Sequence, residues 1–446
     1  MSSLARSRIQ RFFSLPEGDQ SAPEVLRYFR RNFVVNTADG IAWLFGASFV
    51  SVTTIFPVYA SRLTHSPILI GMIPALTDAG WFLPQLLLAP HVERLRRTMP
   101  TVAVLGALER VPYLVLPLAV LWIDHLPRHA GAVTFLLLIA WMALASGLVA
   151  TPWQEFIARI IPTSHRGRFF GISHLGGQLL GVVGGGIAAV ILSRIGYPQS
   201  YALCFALGSL GILASYGFFL LSKEAPLERG LAPPETRSGY LRRLLVILRS
   251  VHNFRIYLIS RSLAYLGNMA YGFLAVYAIQ RFRLADAQAA VFTSILFASG
   301  VLGFAVWGPY GDRFGHKRVL ELASTLGLAA LVIAALASSA GVFYAVFSLM
   351  GFGMAGVVLG DLSIAMEFGP EPERPTYVGL ARTATAPAIF LAPLLAGALI
   401  AWVGYTVMFI AAISFTLAGL VVLWSRVVEP RHLRGVPLPA VSEPQF

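Results

Sequence analysis

The chain has 446 residues, 57% of them hydrophobic and 12% charged, about half the charge of an ordinary soluble domain. With a mean hydropathy of +0.71 there is too little charge to solvate a globule, and disordered or collagenous classes are excluded; a lone Cys204 cannot pair within the chain. The formal charge of +13 does not indicate nucleic acid, because the basic residues lie between apolar runs rather than on one soluble face. What remains is an all-α membrane protein that crosses the bilayer many times.

In chain order, residues 1–40 read as a tail carrying Arg6, Arg8, Arg11, Arg27, Arg30 and Arg31. No apolar core of a cleaved signal peptide interrupts them, so the first span is expected to be retained. Pro23 to Phe33 has the pattern of an amphipathic helix at the membrane surface. Apolar runs of spanning length follow at about 41–62, 67–90, 100–122, 131–153, 171–194 and 199–221. These form a first six-helix bundle over 41–222. The loop 223–255 holds Leu241, Leu244, Leu245, Leu248 and Val251 at helical spacing, a second expected interfacial helix. Further runs lie at about 256–280, 288–310, 319–338, 342–364, 380–402 and 405–425, a second bundle over 256–428, with a tail at 429–446. The runs are about twice the length of a barrel strand and do not alternate, so the spans are helical.

Of the 34 Lys and Arg, 27 fall in tails and connections on one side if both termini lie together, while the opposite connections carry only Arg62, Arg128, Arg194, Arg281 and Arg283. The positive-inside rule then places both termini in the cytoplasm, at the inner membrane. The halves also repeat. Val58, Tyr59 and Ala60 return as Val276, Tyr277 and Ala278, an offset of 218; Glu93-Arg94 returns as Asp312-Arg313; Pro162, Arg166 and Gly171 return as Pro370, Arg374 and Gly379.

After the eighth run the chain reads GPYGDRFGHKR, with Gly308, Asp312, Arg313, Gly315, Lys317 and Arg318. This resembles the signature between the second and third helices of each half in the major facilitator superfamily. The first copy, APHVERLRRT, is degraded: Ala89, Glu93 and Arg96 replace the first glycine, the aspartate and the second glycine, while Arg94 persists. The resemblance implies 12 transmembrane helices in two pseudo-symmetric six-helix bundles around a cavity that opens alternately to each side. It also implies that spans one, four, seven and ten line that cavity. They offer Ser48, Ser51, Thr53 and Thr54; Trp141 and Ser146; Tyr265, Asn268 and Tyr271; and Tyr344, Ser348, Met350 and Met354.

Charges within apolar spans are functional candidates: Asp78, Glu109, Arg110 and, nearer the inner surface, Asp39. Spans two and three are hairpin neighbours, so Asp78 and Arg110 are expected to meet near the midplane. The resemblance also implies that spans five and eleven face the opposite half's signature loop, so His174 and Arg382, equivalent in the repeat, are expected to pair with Asp312 and Glu93 as an inner gating latch. The cavity set is aromatic and amphipathic without a deep cationic clamp, which points to a small apolar or amphiphilic organic solute.

No phosphate-binding GxxxxGK[ST] loop, metal-spaced cluster or deep Ser/His pair occurs, so neither an ATPase nor an intramembrane enzyme is expected, and no cofactor or metal is called for. The expected function is secondary active transport by a monomer in the lipid bilayer, with protons as the candidate coupling ion. The alternative is a transport-inactive protein of the same fold, acting as a ligand sensor or membrane assembly factor.

Overall fold

The computed structural model describes residues 12–15, 23–92, 95–225, 244, 246–370 and 373–433. Each long apolar run forms a helix, because a chain in lipid must satisfy its backbone hydrogen bonds within the segment. In the first half these are α1 (Pro23–Phe49), α2 (Ile55–Leu63), α3 (Pro67–Val92), α4 (Met99–Ile123), α5 (Arg128–Ile160), α6 (Thr163–Arg194) and α7 (Gln199–Leu220). The second half has α8 (His252–Gly267), a 3₁₀ turn (Asn268–Phe273), α9 (Leu274–Phe282), α10 (Ala287–Phe314), α11 (His316–Ala335), α12 (Val342–Phe368), α13 (Arg374–Val403) and α14 (Tyr405–Arg426). Among the described residues, ten segments are long and apolar enough to cross a membrane.

Spans one and seven are each interrupted at their middle, by Val50–Thr54 between α1 and α2 and by the 3₁₀ turn between α8 and α9. The offset of 218 carries one break onto the other. At the first, Thr54 Oγ1 donates to Ser51 Oγ (2.7 Å) and the Phe56 amide to the Ser51 carbonyl (2.9 Å), replacing bonds the broken helix gives up.

Each half is built by the same helix pairings. In the first, α1 packs on α6 and α7, α3 on α5, and α4 on α5 and α7; in the second, α8 packs on α13 and α14, α10 on α12, and α11 on α12 and α14. Two seams join the halves, α6 with α10 and α3 with α13. One apolar core runs across both halves at the end remote from the signature loops, including Phe49, Ile55, Tyr59, Phe273, Val276 and Phe292. At the signature end the core is split. Phe29, Phe156 and Phe169 belong to a first-half cluster, and Phe254, Phe368 and Tyr377 to a second-half one. The protein is therefore closed at the far end and parted at the signature end.

Neither amphipathic stretch behaves as a separate surface helix. Pro23 to Phe33 continues into span one as α1 and buries Phe29 and Phe33 against α6. Residues 246–250 of the central loop are helical, and Leu244, Ile247, Leu248 and Val251 pack into the second-half cluster. Leu241 and Leu245 lie outside the described residues. The apolar stripes thus find protein rather than headgroups, which satisfies the same hydrophobic demand.

Candidate functional site

The two seams define where a cavity can lie. On α6 and α10, a Cβ on Gly181 would strike the Phe297 ring and one on Gly185 would strike Ser294, whose Oγ donates to the Val182 carbonyl at 3.1 Å. His174 stacks on Phe304 at 5.9 Å. Nearer the signature end, Gly167, Gly171, Gly308 and Gly379 have open space beside them. On α3 and α13, Gly71 lies on the Pro393 carbonyl and Gly397 on that of Pro67, so close that a Cβ at either would overlap backbone.

Asp78 follows from the same geometry. At 100° per residue it sits within about 40° of Pro74 and about 20° of Gly71 around α3. Pro74 packs on Gly272 of the 3₁₀ turn, and Gly71 on α13. Asp78 therefore faces the second half, one turn beyond the last contact and into the parted region. It is half-buried and has no hydrogen bond or ion pair among the described residues.

The expected meeting of Asp78 with Arg110 does not occur. Although spans two and three adjoin in sequence, α3 packs on α5 and α13, while α4 packs on α5 and α7. Arg110 instead turns to Glu109, its chain neighbour, and to the Gly106 carbonyl (3.2 Å); Ser146 of α5 also donates to Glu109. The guanidinium lies 5.1 Å from the rings of both Trp43 and Tyr216, a cation–π sandwich inside the first half. Asp39 is buried in the same polar cluster and accepts a hydrogen bond from Ser215.

The second half holds a counterpart that the search for deep charges passed over. Asp361 of α12 lies inside the tenth apolar run and receives Arg261 of α8, with Nε 2.7 Å from Oδ1 and Nη2 2.9 Å from Oδ2. Tyr257 and Tyr265 donate to the same carboxylate at 3.0 and 2.8 Å. The Arg261 side chain is 2% exposed rather than extended toward the membrane surface, because an internal carboxylate offers more than a distant headgroup. A cation in the seventh apolar run and a carboxylate in the tenth, both within one half, were the signal available in the sequence.

The cavity candidates divide. Ser48 is buried against Gly184, Met350 is fully buried, Ser146 and Tyr265 serve the two charge networks, and the Tyr271 hydroxyl abuts Gly327 of α11. Packing within a half holds these, since polar groups inside a membrane bundle must find partners. Thr54 meets Thr293 across the seam at 2.5 Å, and Ser51 lies beside Thr53 at 3.2 Å. Tyr344 donates to Gln288 (3.3 Å) and Ser348 to the Tyr344 carbonyl (2.8 Å). Asn268 is half-buried, and Trp141 and Met354 are exposed.

At the signature loop Gly315 has φ +92°, and a Cβ there would meet Glu429, so only glycine suits. Glu429 accepts the Lys317 amide at 3.1 Å, capping α11. Glu224 does the same for α4, accepting the Thr98 and Met99 amides at 3.0 and 2.8 Å. Burial raises the Glu429 carboxyl above its ordinary range, against the Lys317 hydrogen bond. Arg313 lies over the Phe314 ring, Arg318 and Asp312 are exposed, and Arg431 bonds the Asp312 carbonyl at 3.1 Å. His174 and Arg382 are also exposed. Glu93 and Arg94 lie outside the described residues.

Residues 257–444 match the family model of the Major Facilitator Superfamily. The chain is similar in fold to a D-xylose-proton symporter (TM-score 0.67, 14% identity, covering 91% of this chain and 99% of that one). It is likewise similar to an auto-inhibited POT family peptide transporter (0.67, 10%, 93% and 99%) and to the human organic anion transporter MFSD10 (0.60, 16%, 90% and 100%).

Proposed function

We propose that this chain, whose residues 257–444 match the major facilitator family model and whose fold is similar to that of transporters, is a secondary transporter that moves a small apolar or amphiphilic organic solute coupled to protons, with Asp78 carrying the proton. The supporting observation is the isolation of Asp78. Glu109 and Arg110 neutralise each other inside the first half, and Arg261 and Asp361 do so inside the second. Among the described residues, Asp78 alone of these deep charges faces the parted region without a partner, where gaining or losing a proton changes what the cavity can hold. With both arginines engaged, no free deep cation is left among the described residues to clamp a phosphate or dicarboxylate. The proton named for the xylose symporter of similar fold supports the coupling ion.

By the distribution of basic residues, the signature loops and both termini face the cytoplasm, so the present state opens inward. In the opposite state, Asp312 with His174 and Glu93 with Arg382 would close that end. The test is Asp78→Asn in proteoliposomes, with solutes first found by comparing metabolites taken up by overexpressing and empty vesicles. Accumulation driven by a pH gradient should be lost while exchange at equal concentrations persists. Uphill transport at the wild-type rate would refute the assignment.

A further inference from the structure

At the closed end, Arg62 at the end of α2 makes a bidentate contact with Asp286 at the start of α10, Nε to Oδ2 at 2.8 Å and Nη2 to Oδ1 at 2.9 Å. Tyr201 of α7 donates to the same Oδ2 at 2.7 Å. The pair joins the two halves. Its carboxylate is 11% exposed while the arginine is 50% exposed, opening on a 260 Å³ cleft lined by Asp124, Leu126 and Tyr197. Arg62 also lies 5.8 Å over the Tyr197 ring, whose hydroxyl bonds Asp124; burial and that carboxylate push it up to about 12, so it stays a neutral donor. Just inside the pair, Thr54 and Thr293 touch across the same seam.

The internal repeat shows that this arrangement is not an automatic product of duplication. The offset of 218 puts Gln280 in the place of Arg62, and it accepts the Tyr405 hydroxyl at 3.3 Å within its own half. The same offset puts Ile68, beside Ser66 and Pro67, in the place of Asp286. The tyrosines below are kept in both halves, Tyr59 on Tyr201 at 4.9 Å and Tyr277 on Tyr405 at 4.8 Å. Among the described residues, the ion pair stands at one of two equivalent places.

We propose that Arg62, Asp286 and Tyr201 form a one-sided latch that holds the far end shut and must break each time the transporter opens there. The inference rests on alternating access but on neither the solute nor Asp78. A bidentate pair with its carboxylate sheltered is worth a three- to tenfold bias between two states. The test uses Thr293→Cys in a Cys204→Ala background and a membrane-impermeant maleimide applied from the latch side, with no substrate. Arg62→Gln and Asp286→Asn should each raise labelling three- to tenfold, and Tyr201→Phe by less. The exchanged pair Arg62→Asp with Asp286→Arg should bring labelling back toward the reference. A second reporter, Ala334→Cys inside one half, registers general loosening. Unchanged labelling in both neutral variants, an equal rise at both reporters, or an exchanged pair as reactive as the single variants would overturn the latch.

Discussion

Arg110 is held by one partner directly and by a second at longer range, so the two ways of breaking its network are unequal. In Glu109→Gln the guanidinium keeps Trp43, Tyr216 and the Gly106 carbonyl, and Asp39 remains within electrostatic reach. The loss is that of a charge-assisted hydrogen bond, about 1.5–3 kcal/mol. In Arg110→Met two buried carboxylates, Glu109 and Asp39, are left with no cation between them, and the cost rises to about 3–5 kcal/mol. Combining both substitutions removes one of those carboxylates, so the double variant should be more stable than Arg110→Met alone. Thermal unfolding of the four proteins in one detergent, followed by tryptophan fluorescence or a thiol dye on Cys204, measures the cycle. Additive losses, or Glu109→Gln as damaging as Arg110→Met, would refute the reasoning and mean that Asp39 does not share this cation.

Two further outcomes follow from the seams and the signature loop. Gly185→Val places a branched side chain where Ser294 and the Ala290 carbonyl already sit, so it should prop the α6–α10 seam apart and raise labelling of Thr293→Cys even with the latch intact; wild-type labelling would contradict the packing. Glu429 has a raised carboxyl pKa in the folded state, so its ionisation costs stability as pH climbs from the ordinary carboxylate range through that raised value. Glu429→Gln should therefore be at least as stable as wild type at pH 7, with the difference shrinking on acidification, and a lower melting temperature at pH 7 would count against it.

The helical membrane class and the signature motif were legible because each depends on residues close together in sequence, an apolar run or a glycine at a tight turn, and the repeat because it is a fixed offset between the two halves. Which charges meet was not. Asp78 would meet Arg110 only if consecutive spans touched, whereas α3 is drawn toward α5 and α13 by close glycine contacts at Gly80, Gly147, Gly71 and Gly397. Arg62 read as an ordinary connection charge, since nothing within its segment or that of Asp286 shows that the two halves converge there. Asp361 was hidden in an otherwise apolar run, its neutralisation by Arg261 and two tyrosines visible only once α8 and α12 are placed side by side.

The α3–α13 seam has a mechanical consequence. Where Gly71 meets the Pro393 carbonyl and Gly397 that of Pro67, the two main chains touch directly, with no side chain on the glycine side of either contact. Such a contact has, on that side, no rotamers to reset and no knobs to lift out of holes when one helix turns against the other. It can serve as a bearing, while the ion pair and threonine contact that join α2 and the preceding break to α10, beside the opposite seam, take the tension. The two halves would then swing about one edge rather than rock evenly, and solute would pass nearer the α6–α10 side.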